Sequence, residues 1–184
     1  MSKLISEEEK YNGPRFKVTQ KIYLRDDGTK IVRDIVDPGE AAVILPITDN
    51  NEVVFITQYR ESVNKVSLEL PAGMVDPSEM PIDTAKRELE EETGIICNNI
   101  EPLISLYPST GYTSEKVHIF LARGFEEGKQ RLDSTEEILS IKKINIEECI
   151  NKIKNGELEN ASQIIGILLY YTKYTRQDSA KPLF

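Results

Sequence analysis

The sequence predicts an α/β fold with a β-rich N-terminal part, a mixed body and a helical C-terminal end. Three observations support this fold class. Runs rich in Val, Ile, Thr and aromatic residues alternate with turn residues through the N-terminal half. One helix with well-marked ends is expected at residues 81–93. Apolar residues then recur at helical spacing in the last third of the chain.

An antiparallel β subdomain is expected at the N-terminus. Residues 16–24 and 29–36 are β-prone, and Asp26-Asp27-Gly28 between them is typical of a hairpin turn. Pro38-Gly39 is the expected hinge after this hairpin, because both residues interrupt regular structure. The predicted organisation is a β subdomain at residues 1–38 and a second domain at residues 39–184.

The second domain is expected to combine strands and helices. The predicted strands are residues 41–47, 52–58, 104–107, 116–122 and 138–144. The predicted helices are residues 81–93, 146–154 and 161–172. Pro81 suits an early position of the first helix, and Gly94 suits the position just after its end. These boundaries place an acidic segment inside the first helix.

Composition restricts the class of partner. The formal net charge is −8, which would repel a polyanion, so a nucleic-acid partner is not expected. The two cysteines are isolated from each other, which favours reduced thiols over a disulfide framework. The charged N-terminus lacks an apolar signal region, and no apolar run is long enough to span a bilayer. A cytoplasmic protein without a membrane partner is expected. Any phosphorylated substrate should be small and should meet either a divalent cation or a local cluster of Arg and Lys.

The predicted first helix carries a group of carboxylates beside an apolar stripe. At about 100° per residue, one arc of the helix contains Glu88, Glu91 and Glu92. Like charges at this spacing repel, so a compensating cation is expected. Oxygen donors without His or Cys suit Mg²⁺. The alternative is that Glu90-Glu91-Glu92 forms a solvated helix face, as most charged runs do.

The segment around this helix resembles the Nudix box. That pattern requires Gly, five residues, Glu, seven residues, Arg-Glu, an aliphatic residue, any residue, Glu-Glu, any residue, Gly and an aliphatic residue. The sequence from Gly73 to Ile95 fills every fixed position, including Glu79, Arg87 and Gly94. The resemblance implies a Nudix fold, in which a mixed β-sheet is sandwiched between helices. It also implies metal-assisted hydrolysis at phosphorus.

The resemblance implies roles for individual residues of the box. The implied metal ligands are the carbonyl of Ala72 and the carboxylates of Glu88, Glu91 and Glu92. Mg²⁺ is the implied cofactor, with Mn²⁺ as a substitute. Arg87 is expected to pair with Glu79 and to brace the loop against the helix, outside the direct metal shell.

A general base is expected from a carboxylate near the metal. Relatives often use an acidic residue outside the box, and the loop before the predicted strand at 138–144 contains Glu136 and Glu137. Glu136 is the first choice and Glu137 the second, while Glu91 is assigned to catalysis as well as to metal binding. A solvated turn is the alternative for this loop, because turns attract acidic residues without any function.

Beyond the box, the chain resembles the ADP-ribose pyrophosphatase branch of the family. Three stretches carry this resemblance: Gln58-Tyr59-Arg60, Glu69-Leu70-Pro71-Ala72-Gly73, and Ser109 to Glu115. Arg60 and Glu115 become candidate substrate contacts, since guanidinium binds phosphate or ribose hydroxyls. An exposed charge at a strand end is the alternative for Arg60.

The resemblance implies that the substrate is a nucleoside diphosphate derivative. The expected reaction is hydrolysis of the ADP-ribose pyrophosphate bond to AMP and ribose 5-phosphate, by a homodimer built through the N-terminal hairpins. One alternative keeps the chemistry but changes the substrate to another nucleotide sugar or a dinucleotide. A second is a nucleotide-sensing module that binds without turnover, although such modules tend to lose the box. An acidic structural protein with fortuitous spacing is the third.

Overall fold

The computed structural model describes residues 2–131 and 137–175 and divides the chain into two compact units. One unit contains Met1–Glu40 together with Leu106–Val117. The other contains Ala41–Ser105 and His118–Phe184. The N-terminal unit therefore includes a loop from the middle of the chain, which a division at one hinge does not anticipate.

The N-terminal unit is a three-stranded antiparallel sheet. Its strands are β1 (Lys3–Asn12), β2 (Lys17–Leu24) and β3 (Lys30–Asp37), in that order. The loop Leu106–Val117 is attached to β3, because the Val36 amide donates to the Tyr112 carbonyl at 2.8 Å. The Ser114 amide returns a hydrogen bond to the Val36 carbonyl at 3.0 Å. The sheet therefore holds the segment that contains Glu115.

The larger unit is built around a seven-stranded sheet. Its central strands follow the order β12-β5-β4-β10-β9, while β6 pairs with β5 and β7 pairs with β4. A separate two-stranded ladder joins β11 to β8. The bounds are β4 (Glu40–Ile47), β5 (Glu52–Arg60), β6 (Lys65–Glu69), β7 (Ala72–Met74), β8 (Ile95–Ile96), β9 (Ile100–Leu106), β10 (Lys116–Arg123), β11 (Glu126–Glu127) and β12 (Ile138–Asn145).

The helices begin and end at residues with clear local causes. They are α1 (Pro81–Thr93), α2 (Ile146–Lys154) and α3 (Ala161–Tyr170), followed by a π-helix at Tyr171–Thr175. Gly94 ends α1 in the left-handed conformation, at φ 75°, and its amide donates to the Glu90 carbonyl. The side chains of Asn145 and Asn160 cap the starts of α2 and α3.

Helices cover both faces of the large sheet. Ala85 and Leu89 of α1 pack in one buried cluster with Phe120 and Ala122 of β10. Ile119, whose side chain points to the opposite face, lies against Gly166 of α3. Helix α1 and helix α3 therefore pack on opposite faces, and the predicted α/β fold class is confirmed.

Several strands were not predicted from the sequence. They are β1, β6, β7, β8 and β11. Strand β1 is charged and exposed along its whole length, so it lacks the apolar alternation that indicates a strand, and its backbone pairing with β2 supports it. Strands β7, β8 and β11 have only two or three residues each. Within the described part of the chain, no helix is long and apolar enough to cross a membrane.

Replacement of Leu89 by alanine is expected to destabilise the larger unit. Leu89 is fully buried between α1 and the sheet, so the change removes apolar contacts and leaves a cavity. The free energy of unfolding should fall by about 2–5 kcal/mol in urea denaturation. Val66→Ala is the control, because Val66 is 55% exposed and its loss should change stability by less than about 0.5 kcal/mol. Equal stabilities for the two variants would contradict this packing.

Candidate active site

Two carboxylates on α1 are buried. Glu88 is 5% exposed and Glu92 is 2% exposed, while Glu91 keeps about a third of its side chain in contact with solvent, at 33%. Glu88 and Glu92 are four residues apart, so they lie one above the other on the same helix face. Ionised groups are rarely buried without a partner or a metal, and this face of α1 is therefore the first candidate for a functional site.

The short strand β7 brings backbone against these carboxylates. Its pairing with β4 places Ala72 opposite Val43 and Gly73 opposite Ala42. The Ala72 amide donates to Glu92 Oε2 at 2.9 Å. A side chain at position 73 would place its Cβ 1.9 Å from Glu88 Oε1, so only glycine permits this approach. The glycine is required here for close packing of the carboxylate.

Arg87 contacts three carboxylates at once. Its Nη1 donates to Glu88 Oε1 at 2.8 Å and to Glu91 Oε2 at 2.9 Å. Its Nε and Nη2 donate to the two oxygens of Glu79, each at 3.2 Å. The expected contact between Arg87 and Glu79 is present, and it connects the loop before α1 to the helix. Thr84 adds a hydrogen bond to the same Glu79 carboxylate at 2.7 Å.

These contacts hold both partners in their charged forms. The hydrogen bond from Arg87 lowers the pKa of the Glu79 carboxyl, and the hydrogen bond from Thr84 lowers it further. The Glu79 carboxylate in turn raises the pKa of Arg87, with additional contributions from Glu91 and Glu88 that outweigh partial burial. Glu79 and Arg87 are therefore both ionised at neutral pH, and the cluster contains more carboxyl groups than guanidinium groups.

The donor set fits a hard divalent cation. In residues 2–131 and 137–175, no three acidic, His or Cys side chains are already arranged to hold one. The contacts explain this, because Arg87 draws Glu88 and Glu91 together while the Ala72 amide holds Glu92. The donors are nevertheless oxygens, two of them buried, with an excess of negative charge. This is the environment that Mg²⁺ prefers.

Arg60 is engaged with another protein side chain. Its Nε and Nη2 donate to the two carboxylate oxygens of Glu69 at 2.9 and 2.7 Å. Gln58 donates to the same carboxylate at 3.3 Å. Burial raises the pKa of Glu69, but the hydrogen bond and charge of Arg60, together with hydrogen bonds from Ser67 and Gln58, lower that pKa overall. Arg60 is the last residue of β5, and its side chain is 43% exposed although its partner carboxylate is buried. Its role as a substrate contact stays a prediction.

The other predicted residues lie elsewhere in the chain. Glu115 is half-buried in the loop that belongs to the N-terminal unit, and its backbone amide donates to Thr113 Oγ1 at 3.1 Å. Glu136, the first choice for a general base, lies outside the described residues. Glu137 is exposed just before β12, whose first residue, Ile138, pairs with Gln58. The catalytic roles of Glu136, Glu137 and Glu91 stay predictions.

Two polar contacts at the end of α1 were not predicted from the sequence. Gln130 donates its side-chain amide to the Glu92 carbonyl at 2.7 Å. The Arg131 amide donates to the Glu91 carbonyl at 2.9 Å. The last carbonyls of a helix lack partners within the helix, so the need for outside donors could be predicted. The sequence did not indicate which residues would supply them. These bonds attach the segment after β11 to the carboxylate-bearing end of α1.

Comparison with known proteins assigns the family. Residues 37–164 match the NUDIX domain model, and this span includes the whole carboxylate site. The chain belongs to the Nudix family. It is therefore a hydrolase, and its fold agrees with a crystal structure of an ADP compounds hydrolase at a TM-score of 0.83. That structure is 22% identical and covers 93% of this chain and 92% of its own.

Sequence relatives of this Nudix protein match over nearly the whole chain. It is 32% identical to the methanol dehydrogenase activator of Bacillus methanolicus, with 90% of each chain covered. It is 30% identical to the ADP-ribose pyrophosphatase of Bacillus subtilis, again with 90% of each covered. The ADP-ribose pyrophosphatase of Mycobacterium tuberculosis is 29% identical, covering 97% of this chain and 87% of the relative. These matches support nucleotide pyrophosphate hydrolysis.

Replacement of Gly73 by alanine is expected to disable this Nudix site while the protein still folds. The added Cβ would displace the Glu88 carboxylate from its place against β7. Because a misplacement of about 1 Å costs about a hundredfold in rate, hydrolysis of a nucleoside diphosphate compound should fall at least that far. Gly156→Ala is the control, since a Cβ there meets nothing within 4 Å and the residue follows α2, outside the substrate loop and the carboxylate cluster. Its left-handed backbone makes the change cost stability without altering the site. Near-normal turnover by Gly73→Ala would contradict the site.

Proposed function

We propose that this Nudix protein hydrolyses the pyrophosphate bond of ADP-ribose, releasing AMP and ribose 5-phosphate, with Mg²⁺ as cofactor. The observation that carries the proposal is the burial of Glu88 and Glu92 against the Ala72–Gly73 backbone. The names of the Bacillus subtilis and Mycobacterium tuberculosis relatives support the choice of substrate. The two free cysteines agree with the cytoplasmic location that is part of the proposal.

The proposed metal site is formed by α1 and the loop before it. The carbonyl of Ala72 and the carboxylates of Glu88, Glu91 and Glu92 would hold Mg²⁺, or Mn²⁺ in its place. When bound, the cation supplies neutralising charge at the phosphates and lowers the pKa of water. Glu88 and Glu91 would then give up part of their contact with Arg87, and the contact between Arg87 and Glu79 would keep the guanidinium close to the helix.

The remaining proposed roles belong to side chains that bind substrate or move a proton. Arg60 is proposed to bind the diphosphate or ribose, because a guanidinium offers several directional donors. Glu115 is proposed as a further substrate contact. Water attacks one of the two phosphorus atoms, and a carboxylate accepts its proton, with Glu136 proposed first, Glu137 second and Glu91 as a third candidate. The bond from that phosphorus to the bridging oxygen breaks in the same displacement, and the bridging oxygen leaves with the other phosphate.

A different nucleoside diphosphate derivative is the second candidate substrate. In the ADP-ribose pyrophosphatase branch, the substrate loop commonly contains Ser-Pro-Gly, whereas this chain has Thr110 at the proline position and Pro108 two residues earlier. Comparison of kcat/KM across ADP-ribose, other nucleotide sugars, NADH and diadenosine polyphosphates separates the candidates. A compound that exceeded ADP-ribose about tenfold would have a transition-state preference of about 1.4 kcal/mol and would replace it as the proposed substrate.

Replacement of Glu92 by glutamine tests the proposed reaction. The change keeps the side-chain size but removes the charge, so Mg²⁺-dependent release of AMP from ADP-ribose should fall by about two orders of magnitude or more. Chromatography of the products measures the rate. Glu90→Gln is the matched control, because Glu90 is the neighbouring α1 carboxylate outside the proposed ligand set. Equal rates for the wild type and Glu92→Gln at saturating Mg²⁺ would refute the assignment.

We also propose that a second copy of the chain covers the N-terminal sheet and forms a homodimer. Large apolar side chains are exposed on this unit, namely Leu4, Ile5, Tyr11, Phe16 and Val32. Large apolar side chains exposed on one unit are candidates for burial at an interface. Homodimers are also the commonest assemblies, because one patch then serves both partners. The dimerisation role assigned to residues 1–38 from the sequence is part of this proposal.

Light scattering is expected to give about twice the 20.9 kDa chain mass. Val32→Lys should convert the dimer to monomer at micromolar concentration, because Val32 is 49% exposed and a charge there would be buried at the interface. Val66→Lys places the same charge at a 55% exposed position of the other unit and should remain dimeric. A monomeric wild type at these concentrations would exclude the homodimer.

A further inference from the structure

Arg60 and Glu69 form a fork-shaped ion pair between neighbouring strands. Two parallel hydrogen bonds join the Nε and Nη2 atoms of Arg60 to both carboxylate oxygens of Glu69. The Glu69 side chain is only 8% exposed, whereas Arg60 is 43% exposed. Within the described residues, every side-chain hydrogen bond of Arg60 goes to Glu69, and the Nη1 atom makes none. The pair therefore fixes the plane of the guanidinium and leaves one edge uncommitted.

This pair lies on the sheet face that α1 covers. Val54 of β5 belongs to the cluster that packs against α1, and side chains at alternate positions, including Gln58 and Arg60, share its face. Glu69 of β6 lies directly opposite Ile56 of β5, so its side chain is on the same face of the sheet. Only two residues separate Glu69 from Ala72, the amide of which binds Glu92. The negative charge of Glu92 is close enough to contribute to the raised pKa of Arg60, after the larger contribution of Glu69.

Arg87 shows how a guanidinium behaves when it reaches these carboxylates. One of its amino groups binds both Glu88 and Glu91, two of the proposed metal ligands. Arg60 carries the same charge and donor geometry, yet it is bound to Glu69. Without Glu69, the electrostatic attraction of Glu92 would act on a released and flexible Arg60 side chain. A guanidinium on Glu92 would compete directly with a divalent cation.

We propose that Glu69 is a positioning residue that holds the Arg60 guanidinium in one orientation and away from the metal-ligand carboxylate of Glu92. Glu69 thereby keeps the site open to a divalent cation and leaves the Nη1 edge of Arg60 for the substrate. The proposal rests on the metal site of the proposed function. This inference extends the proposed function, because it gives Glu69 a positioning role in which the side chain neither binds the metal nor takes part in the reaction.

Direct measurement of Mn²⁺ affinity tests this role without turnover. Electron paramagnetic resonance of free Mn²⁺ should show that Glu69→Gln binds the ion about tenfold more weakly than the wild type, because Arg60 is released toward Glu92. The double variant Arg60→Gln/Glu69→Gln should regain affinity close to the wild type, since the competing guanidinium is absent. A double variant as weak as Glu69→Gln would overturn the proposal and indicate a ligand role for Glu69.

Two further variants separate orientation from charge. Glu69→Asp keeps the negative charge but shortens the side chain and breaks the fork, so its Mn²⁺ affinity should also fall. Wild-type affinity in Glu69→Asp would overturn the positioning role in favour of a charge effect. Glu101→Gln is the matched control, because Glu101 accepts a hydrogen bond from Arg123 at 2.8 Å between other strands and should bind Mn²⁺ normally.

The outcome for the wild type distinguishes this proposal from the proposed function. If the wild type binds Mn²⁺ and Glu69→Gln binds it equally well, only the positioning role fails. If the wild type itself binds no Mn²⁺, the proposed metal site and the positioning role fail together. Thermal unfolding of every variant, followed by circular dichroism, confirms that affinities are compared between folded proteins, and Glu69→Asp supplies a milder change if Glu69→Gln does not fold.

Discussion

The crowding of carboxylates on one face of α1 is the constraint on which the rest of the site depends. Glu88 and Glu92 are buried, so their negative charges need compensation from within the protein or from a cation. The structure supplies part of it through Arg87 and through the Ala72 amide. The glycine at position 73 and the short pairing of β7 with β4 place backbone against these carboxylates.

The same constraint explains why arginines near the site are themselves restrained. Arg87 is attached to Glu79 by two hydrogen bonds, and Arg60 is attached to Glu69 by two more. Each guanidinium remains ionised, since its carboxylate partner raises its pKa. The proposed binding of a cation and a polyanionic substrate needs positive charge at defined positions. Bidentate pairing with a carboxylate fixes both the position and the plane of each guanidinium.

Much of this arrangement could be predicted from the sequence, because its signals are local. Pro81 and Gly94 define the ends of α1, and the spacing of Glu88, Glu91 and Glu92 places them on one arc of that helix. The pair between Arg60 and Glu69 could not be predicted in the same way, because it depends on the register between β5 and β6. Strand β1 was missed because its charged sequence has no apolar period. Glu136 lies outside the described residues, so its role rests on the sequence alone.

The central claim is that the α1 carboxylates collect a divalent cation. Anomalous diffraction from crystals grown with Mn²⁺ tests it most directly, because the signal locates the ion without reference to activity. The account predicts a peak against the carboxylates of Glu88 and Glu92 and the carbonyl of Ala72, with Arg87 withdrawn from Glu88 and still bound to Glu79. A peak elsewhere, or none at saturating Mn²⁺ with Arg87 still bound to Glu88 and Glu91, would contradict it.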